Sequence, residues 1–203
     1  MSSSSPVKAV LLDIGNVLLK INWLNSLKLI DIPKEDADLF LQIGNSELFH
    51  QYEAGLVSSE DFRIALCQKL NKKLSPQEFN HIWCACFDGD VEGVPELINT
   101  VSKKVALFTL SNTNESHYVF FKDMPVFSPF EELLTSHKFK CRKPDPLIYQ
   151  KAIERLRLRP EEILFVDDLE ENLEAARKLG IRSEHCYQSA SRLRTIFNLS
   201  NLL

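Results

Sequence analysis

Residues 10–18 read Val10-Leu11-Leu12-Asp13-Ile14-Gly15-Asn16-Val17-Leu18. The run from Val7 to Leu12 is short, largely apolar and partly β-branched, as a buried strand is. It stops at an acid, so Asp13 is expected at the strand's C-terminal end. A carboxylate in that position is either a turn or helix cap or a functional group.

The same pattern recurs further along the chain. Val105 to Leu110 is a second apolar run, followed by Ser111-Asn112-Thr113-Asn114. Glu162 to Val166 is a third, followed by Asp167-Asp168, and Ile181 to Tyr187 is a weaker fourth. Helical patterns lie between them. Asp145 to Leu156 carries apolar residues at Leu147, Ile148, Ala152, Ile153 and Leu156, and Leu169 to Leu179 stops at Gly180, a residue suited to ending a helix. Strands alternating with helices predict an α/β fold, a Rossmann-like three-layer parallel sheet covered on both faces. In such sheets ligands bind beyond the carboxyl ends of the strands, and three of the four runs end in polar or acidic groups.

The stretch from Lys20 to Thr100 reads differently. It offers no convincing strand but several helix-start signals: Asp31 and Pro33 before Asp38–Ile43, Ser58-Ser59-Glu60-Asp61 before Phe62–Leu70, and Ser75-Pro76-Gln77-Glu78 before Phe79–Phe87. Residues 20–100 are therefore expected to form an inserted helical cap, and residues 1–19 and 101–203 the α/β core.

Composition fits a globular enzyme-sized chain: 203 residues, 44% hydrophobic and 26% charged. A formal net charge of −4 gives no electrostatic reason to expect nucleic acid or an anionic membrane as partner. Nothing approaches the ~20 apolar residues that span a bilayer, and Asp13 interrupts the first apolar run, so no signal-peptide core is read there. Five cysteines, with Cys84 and Cys86 only two apart, lack zinc or redox spacing and read as reduced thiols. The protein is expected to be cytoplasmic, a monomer or weak dimer.

Each polar segment has two readings by itself. Ser111 and Asn112 can donate hydrogen bonds to phosphate oxygens or cap a helix. Lys143, in Arg142-Lys143-Pro144-Asp145, is fixed at a helix entrance, where it either neutralises a phosphate or carboxylate or is a solvated surface lysine. Asp167 and Asp168 repel each other unless a hard cation such as Mg²⁺ takes them, or they cap the following helix. Asn172, four residues on, can orient Asp168 or a water.

Taken together and in this order, the four segments resemble the haloacid-dehalogenase superfamily over about residues 7 to 190. The insert resembles that superfamily's type 1 cap. Phe49-His50-Gln51-Tyr52-Glu53-Ala54-Gly55, Leu110-Ser111-Asn112-Thr113-Asn114 and Arg142-Lys143-Pro144 are most similar to bacterial α-D-glucose-1-phosphate phosphatases and to the phosphatase domain of epoxide hydrolases.

The resemblance implies a Mg²⁺-dependent phosphomonoesterase acting on a small sugar phosphate or related metabolite. It makes Asp13 the nucleophile, forming an aspartyl-phosphate, and Lys143 the bridge between Asp13 and phosphate. It places Mg²⁺ on the Asp13 side chain, the Gly15 carbonyl and Asp168, with Asp167 and Asn172 in support behind those ligands. Asn16, Ser111 and Asn112 are implied around the phosphate. From the insert, Asn22 and His50 are expected at the leaving group, with Trp23, Gln51 and Tyr52 as further candidates; Trp23 and Tyr52 also read as core.

Two departures stand out. Many members carry a second Asp two residues after the nucleophile, as general acid and base; here that position is Gly15. General acid–base help is typically worth about 10²–10⁴-fold. Either water or a cap residue, His50 or Glu53, takes that role, or the chain is a slow or silent phosphate- or partner-binding protein. The metal-type acid pair speaks against a dehalogenase, and Gly15 speaks against a phosphomutase-like transferase. The second departure lies in the loop before Lys143, where Lys138, Lys140, Arg142 and Lys143 make a basic edge that is either a solvated loop or an attraction for a doubly anionic substrate.

Overall fold

The computed structural model describes residues 5–30 and 42–203. Strand β1 (Ala9–Leu12) leads into β2 (Leu19–Ile21) and helix α1 (Trp23–Ile30). Helices α2 (Glu47–Glu53), α3 (Ser59–Lys69) and α4 (Pro76–Cys84) follow, then β3 (Phe87–Asp90) and α5 (Val94–Val101). The remainder runs β4 (Ala106–Ser111), α6 (Glu115–Phe121), β5 (Glu132–Thr135), α7 (Ser136–Phe139), α8 (Pro146–Leu156), β6 (Ile163–Asp167), α9 (Glu170–Lys178), β7 (Arg182–His185) and α10 (Ala190–Leu199).

Five strands form one parallel sheet in the order β5-β4-β1-β6-β7. β1 is central, and all four of its residues are fully buried. Its side chains alternate between faces, as a strand's must. Val10 and Leu12 pack with Leu97, Ile98 and Val101 of α5 and with Ile196 and Phe197 of α10. Leu11 packs on the other face with Ile148, Tyr149 and Ala152 of α8 and Leu173 and Ala176 of α9. The chain runs outward from β1 through β4 and β5, then returns to the opposite side through β6 and β7. The order reverses between β1 and β6, where Asp13 and Asp167 emerge; ligand crevices in doubly wound sheets lie at such reversals.

The cap has its own core. Tyr52, Phe62, Leu66, Phe79 and Trp83 form a cluster separate from both faces of the sheet. Tyr52 stacks on Phe62 at 4.2 Å and Phe79 on Trp83 at 5.7 Å between ring centroids. The serines read as helix starts do cap: Ser58 accepts from the Asp61 N–H, and Ser75 forms a reciprocal box with Glu78. Most of the helix expected over Asp38–Ile43 lies outside the described residues.

Three differences from the sequence reading have physical causes. Residues 20–100 were expected to be helical, yet β2 and β3 pair antiparallel beneath the cap. Each is short, and Phe87-Asp88-Gly89-Asp90 has no apolar alternation to announce a strand. The helix expected over Phe79–Phe87 accordingly stops at Cys84. The edge strand β5 was not anticipated, because Glu132-Leu133-Leu134-Thr135 is brief and half-exposed at its start. Finally α5, which falls within residues 20–100 except for Val101, packs on the sheet through Val94, Leu97, Ile98 and Val101 rather than on the Tyr52–Trp83 cluster. Those residues fall at helical i, i+3, i+4 and i+7 spacing.

The turn after α2 presses against α7 and the residue that follows it. Ser136 Oγ donates to the Glu53 carbonyl at 2.6 Å, and Lys140 Nζ donates to the Gly55 carbonyl at 2.6 Å. Gly55 has φ of 65°, and a Cβ there would collide with the His137 backbone carbonyl. Only glycine meets both demands. All five cysteines are unpaired and buried. Among the described residues no helix is long and apolar enough to cross a membrane.

Candidate active site

Four segments meet at the carboxyl ends of β1, β4 and β6. Asp13 follows β1, and its backbone N–H donates to the Val166 carbonyl of β6 at 2.9 Å. Lys143, only 2% exposed, reaches in from the loop before α8. Its ammonium donates to Asp13 Oδ1 at 2.7 Å, Asp167 Oδ2 at 2.6 Å and the Leu110 carbonyl at 2.8 Å. An ammonium has three protons, so each is used. Its backbone is fixed as well: the Lys143 N–H donates to Asn112 Oδ1 at 2.7 Å, and Asn112 Nδ2 donates to the Lys143 carbonyl at 2.9 Å. The Lys143–Pro144 peptide is cis. The resemblance gives the Asn112 backbone to phosphate; its side chain holds Lys143 in place.

The two consecutive acids differ in surroundings. Asp167 is fully buried, and both oxygens are occupied. Oδ2 takes Lys143, and Oδ1 accepts from the Leu169 N–H and from Asn172 Nδ2, each at 2.9 Å. Asp168 points the other way and accepts from Asn16 Nδ2 at 3.0 Å. Asn16 is held in turn, in a left-handed conformation with φ of 56°, by Gln188 Nε2 on its Oδ1 at 2.9 Å. Asn172 therefore orients Asp167 rather than Asp168.

Three carboxylates, Asp13, Asp167 and Asp168, face one ammonium. Burial pushes Asp13 above the usual carboxylate range, and the charges of Asp167 and Asp168 add to this against the pull of Lys143. Asp168 is raised for the same first reason, burial, with Asp167 adding to it. Lys143 is shifted upward because its two carboxylate partners outweigh the burial that opposes its charge. The excess negative charge, carried on hard oxygens, is what a divalent cation neutralises.

The residues fit such an ion. Asp13 Oδ2 lies beside Gly15, 3.7 Å from where a Cβ would stand. Asp13, Gly15, Asn16, Ser111, Asn112, Lys143, Asp168 and Asn172 all border one cavity of about 260 Å³. Two buried atoms of residues lining it, Thr113 Oγ1 and Asn172 Oδ1, have no hydrogen-bond partner. Ser111 Oγ makes only a long 3.5 Å contact with the Asn112 carbonyl. Polar atoms left so are open to an ion's waters and a phosphate's oxygens. Among the described residues no three His, Cys, Asp or Glu side chains form a metal cluster by themselves; the donors here are two carboxylates and a backbone carbonyl.

Gly15 is not forced by backbone strain. A Cβ would sit 3.4 Å from Ile21 Cγ1, ordinary contact, so the familiar acid is absent by sequence and not for lack of room. Of the two cap candidates for its role, Glu53 lines the cavity, whereas His50 is not among the lining residues. Glu53 is buried, which pushes its carboxyl up to about 7 even though Arg142 Nε donates to it at 3.1 Å. Arg142 lines the cavity too, as does His117, a residue the sequence did not single out. His117 is buried against Trp83 and lowered to about 4 by that burial, so it is neutral near pH 7. Asn22 sits outside this cavity, lines the neighbouring one, and caps α1 through the Leu24 N–H at 3.2 Å.

The basic edge is divided: Arg142 and Lys143 line the cavity, and Lys138 and Lys140 are turned elsewhere. Lys138 Nζ lies over the Tyr118 ring at 3.7 Å from its centroid, and Lys140 holds the Gly55 carbonyl. Neither borders the cavity, so their role is to fasten the loop and cap.

Known proteins share this chain's length and fold. A D-ribitol-5-phosphate phosphatase of Bacteroides thetaiotaomicron is 25% identical, with 87% of this chain and 90% of the relative covered. A sesquiterpene phosphatase, astK, of Aspergillus oryzae is 26% identical over 90% of this chain and 91% of the relative. The structure of a HAD family enzyme, bt-2542, of Bacteroides thetaiotaomicron, in complex with magnesium and inorganic phosphate, superposes with a TM-score of 0.82 at 26% identity, covering 92% and 98% of the two chains. Residues 7–180 match the family model of haloacid dehalogenase-like hydrolases, and the chain belongs to that family.

Proposed function

We propose that the protein is a Mg²⁺-dependent phosphatase that hydrolyses phosphate monoesters through an aspartyl-phosphate on Asp13. The observation that carries this reading is the Lys143 ammonium, bonded at 2.7 and 2.6 Å to carboxylates delivered by two neighbouring strands. It holds Asp13 in one orientation with Oδ2 directed toward the cavity side at Gly15.

Asp13 Oδ2 attacks phosphorus while the bond to the ester oxygen breaks, and the departing alcohol takes a proton from Glu53. Water then attacks the same phosphorus, the bond to Asp13 breaks, and Glu53 takes the proton back. One water is consumed, and an alcohol and inorganic phosphate leave. Lys143, Ser111 and the Asn112 backbone meet the phosphoryl oxygens, where negative charge develops. Asp167 and Asn112 position Lys143. Asp13, the Gly15 carbonyl and Asp168 would hold Mg²⁺, which when bound offsets the charge of the acid cluster and the phosphate. The magnesium and phosphate bound by the Bacteroides structure support this assignment.

Phosphate release from a panel of monoesters is expected with Mg²⁺ and is expected to stop in excess EDTA. Release that survives chelation would remove the metal from the reading. The relatives' names span a sugar-alcohol phosphate and a terpenoid phosphate, so the panel includes both polar and apolar esters.

Glu53 has its own test. Because its carboxyl is raised from 4.5 to about 7, its protonated share falls as pH rises through 7. The rate of the first step on alkyl phosphates should fall with it. Glu53→Gln should lose about 10²–10⁴-fold on an alkyl phosphate and lack that alkaline limb. It should lose far less on p-nitrophenyl phosphate, whose leaving group needs no proton. Equal losses on both esters, with the limb retained, would make Glu53 a structural partner of Arg142 only.

A further inference from the structure

A second, larger cavity of about 560 Å³ adjoins the phosphoryl site. Its volume lies within the ~300–1,000 Å³ range of small-molecule pockets. The two share walls: Ile21, Trp23, Phe49 and Glu53 border both. An ester whose phosphate sits at Asp13 therefore has this chamber next to its leaving group.

The chamber's chemistry is one-sided. Trp23, Leu24, Leu27, Ile43, Phe49 and Trp83 supply most of its described wall. Among the described lining residues Glu53 is the one ionisable group, and it is engaged by Arg142 at the junction with the phosphoryl site. Asn22 Oδ1 already accepts from a backbone N–H. A polyol placed here would meet Asn22, Asn45 and the unpartnered Trp83 Nε1, but otherwise aromatic and aliphatic carbon that leaves most of its hydroxyls unpaired, which is unfavourable. A hydrocarbon would be drawn in by the release of water from both surfaces.

We infer that the preferred substrate is a phosphate monoester with an apolar tail, its phosphate at Asp13 and Lys143 and its hydrocarbon in the chamber lined by Trp23, Phe49 and Trp83. This deepens the phosphatase reading and rests on it for the position of the phosphate. It also turns the expectation of a sugar phosphate toward a lipid-like or terpenoid-like alcohol. Because the described wall offers volume and few directed contacts, selection is graded by size and not by pattern of hydroxyls.

The test is a series of n-alkyl phosphates from ethyl to octyl, below their micellar concentrations, beside D-ribitol 5-phosphate. Each methylene that enters should raise kcat/KM by up to about fourfold. Octyl phosphate should exceed ethyl phosphate by at least about 10²-fold and should also exceed D-ribitol 5-phosphate. Leu27→Asp should lower kcat/KM for octyl phosphate at least about tenfold more than for ethyl phosphate. A second readout needs no turnover. The chain has two tryptophans, and both line the chamber; octylphosphonate should change their fluorescence at far lower concentration than ethylphosphonate.

The outcomes separate the two readings. Esters hydrolysed with no dependence on chain length, or D-ribitol 5-phosphate preferred, would overturn the apolar chamber and leave the phosphatase standing. No release from any ester, with tight octylphosphonate binding retained, would overturn the phosphatase and leave the chamber. Loss of both would remove both.

Discussion

Replacing Asp13 with asparagine is expected to lower phosphate release by at least about 10³-fold while leaving the fold intact. Asparagine keeps the shape and an oxygen for the Lys143 ammonium, now 2.7 Å from Asp13 Oδ1. It lacks the negative oxygen that forms the bond to phosphorus. Stability should hold or rise, because one of three crowded carboxylates has lost its charge and Lys143 keeps Asp167. The rise in melting temperature on adding Mg²⁺ should shrink, since a ligand stabilises only as far as it binds the folded state. Phosphate release in the variant within tenfold of the parent would mean that some other group attacks.

The second large effect is on folding. Lys143→Met fills nearly the same volume but leaves Asp13 and Asp167 facing each other without a cation. Removing one partner of a buried ion pair typically costs about 3–5 kcal/mol, and Lys143 is 2% exposed. Urea unfolding at pH 7.5 should register that loss, and activity should vanish with it. The pH dependence has a definite sign. In the parent, the lysine's raised value means its contribution is complete below the unfolded value of 10.5 and fades only at higher pH. In the variant, Asp13, which burial already pushes up, loses the cation that opposes that push. The deficit should therefore be smallest near pH 5 and grow as pH rises. A variant as stable as the parent at pH 7.5 would mean the three bonds to Lys143 contribute little in solution.

Much of this site is legible in sequence wherever a buried strand ends in a charge. Asp13, Ser111, Asp167 and Asp168 follow strands whose apolar runs are plain, and Lys143 precedes a proline-started helix. What the sequence cannot convey is which partner each group takes. Asp167 and Asn112 look like ligands for an ion and a phosphate, yet hydrogen bonds to Lys143 occupy the Asp167 side chain together with Leu169 and Asn172, and the Asn112 side chain by itself. Adjacent acids have no way to announce that a helix amide will claim one of them. His117 went unnoticed for a similar reason. It lies within α6, and only the packing of α4 against α6 brings Trp83 over it. The β2–β3 pair was missed because strands this short carry no period. His50 and Glu53 sit three residues apart on one helix, and the docking of α2 on α7 brings Glu53 to the cavity.

That docking has a mechanical corollary. The α2 turn is attached by Ser136 to the Glu53 carbonyl, by Lys140 to the Gly55 carbonyl and by Arg142 to the Glu53 carboxylate, with Gly55 seated against the backbone of His137. Every one of these anchors lies in residues 136–142, and the next residue is Lys143. One wall of the chamber and the ammonium of the phosphoryl site are thus fastened through one short segment, with the Tyr52 hydroxyl on Ser116 Oγ at 2.9 Å as a further tie from α2. A substitution that loosens residues 136–142 is therefore expected to disturb the chamber wall and the lysine together.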